Sequence, residues 1–161
     1  MKVLLAIDGS KCSDAAVETL ILQYKPTDTE ALVLHAVDSI GLMPISCTYG
    51  AGSTFAQDCM AMMAQWRKDG EELVSRVANR LRDAGFKTST QVEEGDARAI
   101  ILKCARKWSP DLILLGSHGK KGLDRFLLGS VSEAVVRHAL CSVEIVRSPV
   151  REEEGELLKA D

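Results

Sequence analysis

Residues 112–146 read LILLGSHGKKGLDRFLLGSVSEAVVRHALCSVEIV. The apolar run from Leu112 to Leu115 is typical of a buried strand, and a second such run extends from Cys141 to Val146. Between them, apolar residues from Val131 to His138 recur every three or four positions, which predicts a helix. A strand, a helix and a second strand in this order predict a βαβ unit with parallel strands.

The same alternation continues upstream. Val3 to Ile7 and Ala31 to Val37 are further apolar strands, whereas Phe86 to Val92 alternates more weakly and suits an edge strand. Four apolar stripes have helical spacing: Val17, Leu20, Ile21 and Tyr24; Leu73, Val77, Leu81 and Ala84; Ala97, Ile101, Cys104 and Trp108; Val131, Ala134, Val135 and His138. Five strands alternating with four helices predict a doubly wound, Rossmann-like α/β domain, with helices on both faces of a parallel sheet.

Two segments interrupt this rhythm. Ser39 to Ser53 contains three glycines and a proline without a sustained period, so we expect a loop after the second strand. Arg151 to Asp161 is dominated by acidic residues and is expected to be a solvated tail. Because no repeat or internal boundary is visible, residues 1–150 are expected to form one domain.

Composition excludes several classes of protein. The 161 residues carry a formal net charge of −3, which disfavours a nucleic-acid-binding protein that neutralises many phosphates. No run approaches the roughly 20 apolar residues needed to span a bilayer, and Asp8 stops the N-terminal apolar run before signal-peptide length. The five scattered cysteines lack the close pairs of zinc or redox motifs, so we expect reduced thiols in a cytoplasmic protein.

A ligand site is expected where the strands end, because open α/β sheets bind ligands beyond their carboxyl ends. The residues in question are Asp8, Gly9 and Ser10; Val37 and Asp38; Gly95 and Asp96; and the stretch from Gly116 to Ser130. Glycine permits close approach and unusual backbone angles, so a glycine-rich turn can direct several N–H groups at one anion. Ser130 and Glu133 match a capping box, which predicts a helix with Ser130 as its N-cap and a partial positive charge at its start.

Each of these residues also has a purely structural interpretation. Ser130 could act only as a cap, Gly9 and Gly95 could be ordinary turns, and Asp8 could cap the first helix. Lys120, Lys121 and Arg125 could be a solvated face rather than phosphate ligands. Of the histidines, His35 suits a hydrogen-bonded core position and His138 a helix C-terminus, whereas His118 lies between two glycines and is a site candidate. No Walker loop, dinucleotide fingerprint, nucleophile elbow or paired metal-ligating histidines are present.

The spacing of the glycines identifies a family. Two residues separate Gly116 from Gly119, nine separate Gly119 from Gly129, and Ser130 follows, which resembles the ATP-binding branch of the universal stress protein family. Five blocks are similar to the family in order: VLLAIDGS, LVLHAVD, EEGDARAII, DLILLGSHGKKGL and LLGSVSEAVVRHALCSVEIVR. The resemblance covers nearly the whole chain apart from the loop after the second strand and the acidic tail.

This resemblance implies a strand order of 3-2-1-4-5, a homodimer through strand 5 (Cys141 to Arg147), and ATP, AMP or ADP bound across strands 1 and 4 with a magnesium ion. The implied site begins with Asp8, Gly9 and Ser10 after strand 1, with Asp8 at the adenine and ribose. Val37 would offer backbone groups to adenine and Gly95 would lie near the ribose. Gly116, His118 and Gly119 would line the phosphate loop, and the helix start would bind phosphates through Gly129, Ser130, Val131 and Ser132.

The chain departs from the family pattern in strand 5, where Ser142 replaces a common proline and Glu144 places a charge that points outward or pairs with a partner subunit. Lys120 and Lys121 also replace a common arginine and threonine. The favoured hypothesis is a homodimeric nucleotide-binding regulator of the stress response with an unidentified protein partner. The alternatives are a slow ATP hydrolase or phosphotransferase using His118 or Asp8, and an interaction scaffold that binds no nucleotide. Catalytic machinery is not evident in the sequence.

Overall fold

The computed structural model describes residues 1–38, 53–119 and 128–148. Its strands are β1 (Lys2–Ile7), β2 (Glu30–Val37), β3 (Lys87–Glu94), β4 (Leu112–Gly116) and β5 (Ser142–Val146). Its helices are α1 (Lys11–Gln23), α2 (Ser53–Asp83), α3 (Ala97–Trp108) and α4 (Ser130–His138), and a single 3₁₀ turn covers Pro26–Asp28. The predicted alternation of strands and helices is therefore confirmed for the described residues.

The five strands form one sheet in the order β3-β2-β1-β4-β5, and all four neighbouring pairs are parallel. This is the predicted doubly wound topology and strand order. β3, the strand with the weakest apolar pattern, lies at one edge, as expected, and β5 lies at the other. The reversal of strand order places the ends of β1 and β4 side by side, where such sheets form their ligand crevice.

A hydrophobic core lies on each face of the sheet, because successive strand residues point to opposite faces. In β1, Val3, Leu5 and Ile7 join the core under α1 and α2, whereas Leu4 and Ala6 join the core under α3 and α4. All five are buried. Because β1 is buried on both faces, its residues from Val3 to Ile7 are all apolar and do not alternate with polar ones.

α2 is longer than its apolar stripe predicts. The stripe begins at Leu73, but the helix begins at Ser53 and runs for 31 residues, so the expectation that Ser53 belongs to a loop is wrong. No helical stripe was assigned before Leu73, although Cys59, Met62, Trp66 and Gly70, which are buried or partly buried, recur every three or four positions. The rest of the expected loop, residues 39–52, and the expected acidic tail, Arg151 to Asp161, lie outside the described residues.

The cysteines do not all behave as expected. Cys12, Cys104 and Cys141 are free, but Cys59 is disulfide-bonded, so the expectation of five reduced thiols is wrong at Cys59. Burial raises the pKa of the Cys104 and Cys141 thiols, which suits small apolar packing residues. None of the described helices combines the length and hydrophobicity needed to cross a bilayer.

Glu144 in β5 is bonded within its own chain. The register pairs Glu144 with Leu114, whose side chain belongs to the core under α1. On that face the hydroxyl of Tyr24 donates to Glu144 Oε2 at 2.5 Å. The charge therefore contacts Tyr24, the C-cap residue of α1, an arrangement different from the two expected from the sequence.

This contact makes the ionisation of Tyr24 testable. Burial, together with the Glu144 carboxylate, raises the pKa of Tyr24 to about 12 from the ordinary value of 10.0. Because the folded state favours the protonated phenol, its contribution to stability is present below pH 10 and is lost as the pH rises through about 12. We therefore expect the unfolding free energy of the wild type to fall more steeply across this window than that of Tyr24→Phe.

Absorbance titration of tyrosinate measures the same quantity directly. The difference between wild type and Tyr24→Phe isolates Tyr24 from the other tyrosine, Tyr49. Glu144→Gln should move the Tyr24 midpoint down towards 10, since the carboxylate charge is lost. A wild-type midpoint already at 10 would show that the Tyr24–Glu144 contact does not form in solution.

Candidate functional site

The candidate site lies at the carboxyl ends of β1 and β4, which are neighbours in the sheet. A Cβ atom built on Gly119 would lie only 2.7 Å from Asp8 Oδ2. Nearby, the hydroxyl of Ser10 donates to the carbonyl oxygen of His118 at 3.2 Å. Two residues from the turn after β1 and two from the turn after β4, all predicted from the sequence, therefore lie together.

The turn after β1 is held by short-range hydrogen bonds. Gly9 has φ of 75°, a conformation that favours glycine, so a turn accounts for this residue. Asp8 Oδ1 accepts from the backbone N of Ser10 at 3.0 Å, and Ser10 Oγ accepts from Ser13 N at 3.2 Å as the N-cap of α1. The alternative in which Asp8 caps α1 is therefore wrong, because Ser10 is the cap. Ser13, buried and absent from the predicted site, accepts from Gly9 N at 3.2 Å.

The ends of β2 and β3 are joined by the two residues predicted to contact adenosine. The backbone N of Gly95 donates to the Val37 carbonyl oxygen at 2.9 Å. α2 approaches this point at Gly70, where a built Cβ would lie 2.8 Å from His35 Cδ2. His35 in turn donates through Nδ1 to the Ile7 carbonyl oxygen at 2.8 Å, which confirms that its ring is hydrogen-bonded, and the residue is partly buried.

Gly95 and Asp96 form the turn that starts α3. Gly95 has φ of 133°, so glycine is also favoured here by backbone geometry. Asp96 is the N-cap of α3 and accepts from Ala99 N at 3.1 Å. Hydrogen bonds from Arg98, and then the bond from Ala99 N, lower the pKa of Asp96 to about 2. Asp96 therefore caps the helix as an anion at neutral pH.

Gly116, at the end of β4, is required by close packing. A built Cβ would lie 2.7 Å from the backbone carbon of Cys12 and 2.8 Å from the backbone N of Ser13. Real Cβ atoms essentially never make contacts this short. The start of α1 therefore packs against the Gly116 backbone, which explains this glycine without a ligand.

α4 begins at Ser130, and its N-cap is Gly129 rather than Ser130. The first intrahelical bond runs from Glu133 N to the Gly129 carbonyl oxygen at 2.9 Å. The predicted capping box with Ser130 as N-cap is therefore wrong by one residue, and no side chain in the described part of the chain caps this helix. The backbone N–H groups of the first turn, on Ser130, Val131 and Ser132, precede that bond and have no intrahelical acceptor.

The described residues divide the predicted site into groups. Asp8, Ser10, His118 and Gly119 lie together, and Gly129 lies beside them, since its built Cβ would be 3.4 Å from His118 Cα. Val37 and Gly95 form the second group. Lys120, Lys121 and Arg125 lie outside the described residues. Sequence reasoning missed Gly70 and the buried serines Ser13 and Ser117, because a single small residue carries no periodic or motif signal.

No preformed metal site is visible in residues 1–38, 53–119 and 128–148, where no three His, Cys, Asp or Glu side chains are grouped closely enough to hold an ion. Divalent cations of the magnesium class favour several oxygen ligands.

Residues 1–147 match the universal stress protein family. Universal stress protein MJ0531 of Methanocaldococcus jannaschii is 31% identical over 151 residues, covering 94% of this chain and 84% of that protein. Among solved structures, hypothetical protein MJ0577 has a TM-score of 0.77 at 23% identity, with 93% of this chain and 97% of that chain covered.

A universal stress protein family protein from Arabidopsis thaliana, solved with AMP bound, has a TM-score of 0.66 at 22% identity, with 93% of each chain covered. These structural likenesses agree with the fold described above. The family match extends from the first strand through the last, and it includes every described element that forms the candidate site. On this evidence the chain belongs to the universal stress protein family.

Proposed function

We propose that this protein is a cytoplasmic, homodimeric regulator of the stress response that binds ATP, or AMP or ADP, across the carboxyl ends of β1 and β4. The observation that carries the proposal is the start of α4, where no side chain of the described residues caps the first-turn N–H groups and which lies beside the turns after β1 and β4. Backbone N–H groups at a helix start, together with the helix dipole, favour a phosphate group. The AMP-bound relative supports an adenine nucleotide as the class of ligand.

In this proposal the phosphates bind mainly to backbone groups. Gly116, His118 and Gly119 line one side, and Gly129, Ser130, Val131 and Ser132 supply the other from the helix start. Ser132 contributes its N–H and not its hydroxyl, because the hydroxyl is buried and donates to carbonyl oxygens. Magnesium would be held chiefly by phosphate oxygens, in keeping with the lack of a grouped acidic site in the described residues.

The adenosine part of the ligand is assigned to Asp8 together with Val37 and Gly95. Asp8, partly exposed, is suited to accept hydrogen bonds from ribose or from the adenine amino group. In this proposal Val37, which ends β2, and Gly95, in the turn after β3, offer to adenine and ribose the backbone groups that their mutual hydrogen bond leaves over. Gly9 and Ser10 shape the turn that presents Asp8, through the positive φ of Gly9 and the bond from Ser10 N.

Two measurements test nucleotide binding. Purified protein is denatured and its supernatant chromatographed for released nucleotide, and nucleotide-free protein is titrated with ATP, ADP and AMP by calorimetry in the presence of magnesium. The proposal expects saturable binding of at least one of them. Absence of both released nucleotide and saturable binding would contradict the proposed function and favour the interaction scaffold.

Homodimerisation is proposed to use β5. This strand ends the sheet, and its residues are partly exposed, whereas those of its neighbour β4 are mostly buried. Two apolar side chains that precede it in the chain are exposed, Leu140 just before the strand at 86% and Val136 in α4 at 49% of full exposure. Glu144 does not oppose pairing of this edge with a second copy, since it contacts Tyr24 of its own chain.

The Leu140→Glu variant tests the proposed dimer. Burying a leucine contributes about 1.5–3 kcal/mol, and a symmetric interface loses two of them, so the dimer dissociation constant should rise at least about 100-fold. Sedimentation equilibrium measures this constant. The matched control is Met60→Glu, at an exposed position of α2, which packs over β2 and β3 near the opposite edge. A wild type that sediments as a monomer, or equal constants for both variants, would contradict the β5 interface.

A further inference from the structure

The turn after β4 and the start of α4 are joined by a direct backbone contact. Gly129 N donates to the Ser117 carbonyl oxygen at 2.9 Å, and a Cβ on Gly129 would lie 3.1 Å from that oxygen. Ser117 is 1% exposed, and its own N–H donates to the Val146 carbonyl oxygen at 2.7 Å. The two ends of the segment between Gly119 and Leu128 are therefore held at one place, which we call the neck, consisting of Ser117, Gly129 and Ser132.

Ser132 closes the neck from the first turn of α4. Its side chain is 2% exposed, and its Oγ lies 2.9 Å from the Ser117 carbonyl oxygen and 2.8 Å from the Gly129 carbonyl oxygen. A hydroxyl group has one hydrogen to donate, so this hydrogen is committed to these two acceptors. The Ser132 hydroxyl is thereby turned away from the solvent side of the helix start.

The contact also orients the peptide groups of the neck relative to the proposed phosphate site. The Ser117 oxygen accepts from Gly129 N as well as from Ser132, and the Gly129 oxygen accepts from Glu133 N as well. Both carbonyl oxygens are thus bonded inside the neck. Since carbonyl oxygens repel an anion, holding them inward leaves the N–H groups of the first turn to meet it.

We propose that Ser132 is a positioning residue for phosphate recognition, which acts through the Ser117 and Gly129 carbonyl oxygens and does not bind the nucleotide with its hydroxyl. This inference rests on the proposed function and deepens it. Ser132 orders the neck and hence the N–H groups that meet the phosphates. The adenosine part is assigned to Asp8, Val37 and Gly95, which are not residues of the neck.

The proposal predicts a loss of affinity that depends on the phosphates. In Ser132→Ala, calorimetry should show ATP binding weakened about tenfold, since one buried hydrogen-bonding group is lost from the neck. Adenosine should bind within about twofold of the wild type. A purely structural role would lower the thermal stability or change both affinities in parallel, so the ratio of ATP to adenosine affinity is the decisive readout.

Two further variants control for other causes. Ser132→Thr keeps a hydroxyl that can reach the carbonyl three residues earlier, so it should restore the ATP-to-adenosine ratio. Thr88→Val removes a hydroxyl that donates to the Phe86 carbonyl oxygen at the start of β3, at the other end of the sheet. It should leave the ratio unchanged even where stability falls. If Ser132→Ala does not fold, Ser132→Cys, with a weak donor in a side chain of similar shape, supplies the same comparison.

Amide hydrogen exchange separates the neck from nucleotide binding. Without nucleotide, the Gly129 amide should exchange about tenfold faster in Ser132→Ala than in wild type, while core amides of α3 are unchanged. A wild type that binds no nucleotide contradicts the proposed function, whereas the exchange result still reports on the neck. An unchanged ATP-to-adenosine ratio in a folded, nucleotide-binding variant, or unchanged Gly129 exchange, would overturn the positioning role.

Discussion

Gly119→Val should weaken ATP binding at least about 100-fold while leaving the protein folded. A Cβ at this position would lie 2.7 Å from Asp8 Oδ2, so either the carboxylate or the Gly119 backbone must move. Valine also covers the backbone that is proposed to face the phosphates. Loss of two hydrogen bonds to a charged ligand, at about 1.5–3 kcal/mol each, corresponds to a factor of about 100 or more.

The fold should survive because Gly119 is exposed and does not adopt a positive φ, so the valine backbone is not strained there. Calorimetry with ATP measures the affinity, and circular dichroism with thermal melting checks the fold. Gly119→Ala should give an intermediate loss, since it introduces the same short contact with less bulk. Ser89→Val, which introduces the same branched side chain at an exposed position of β3, is the control and should bind ATP as the wild type does. Unchanged ATP affinity in Gly119→Val would remove this residue from the site.

Gly116→Ala should show the largest loss of stability among the site glycines. The new Cβ would meet the Cys12 backbone carbon at 2.7 Å and the Ser13 backbone N at 2.8 Å, both in α1. Backbone atoms of a packed helix cannot rotate away as a side chain can, so α1 must shift on the sheet. Overpacking of this kind costs up to about 3 kcal/mol, which would lower the melting temperature by about 6–12 °C in a domain of this size.

Gly70→Ala is the informative comparison. Its Cβ would come almost as close, 2.8 Å against 2.7 Å, but the neighbouring atom is His35 Cδ2, which belongs to a side chain that can adjust. Alanine also favours the helical conformation over glycine by about 1 kcal/mol, so the stability of Gly70→Ala should stay within about 1 kcal/mol of wild type. Cys12→Gly should not rescue Gly116→Ala, because the shortest contact is with the Cys12 backbone. Equal melting temperatures for Gly116→Ala and Gly70→Ala would contradict this account of Gly116.

The hydrophobic periodicity of the sequence was sufficient to predict the elements that carry a continuous apolar run or stripe. The strands of the sheet, the edge position of β3 and the stripes of α1, α3 and α4 were all predicted, since their periodicity reflects burial directly. The first half of α2 was not predicted, because the recognised stripe begins only at Leu73 and the earlier buried or partly buried residues, Cys59, Met62 and Trp66, were not joined to it. The N-cap of α4 was displaced by one residue, since Gly129 and Ser130 both suit a helix start and only the backbone angles distinguish them.

The sequence by itself determined the order of elements, the family and the positions of the glycines at the strand ends, because these depend on local spacing along the chain. Only the tertiary structure decided why each glycine is needed. Gly9 and Gly95 adopt positive φ, whereas Gly116 and Gly119 make room for Cys12 and Asp8 from the other end of the chain. It also turned the Ser132 hydroxyl inward, to a carbonyl oxygen at the end of β4. Such contacts join residues distant in sequence, so their geometry arises only when the sheet brings β1 and β4 together.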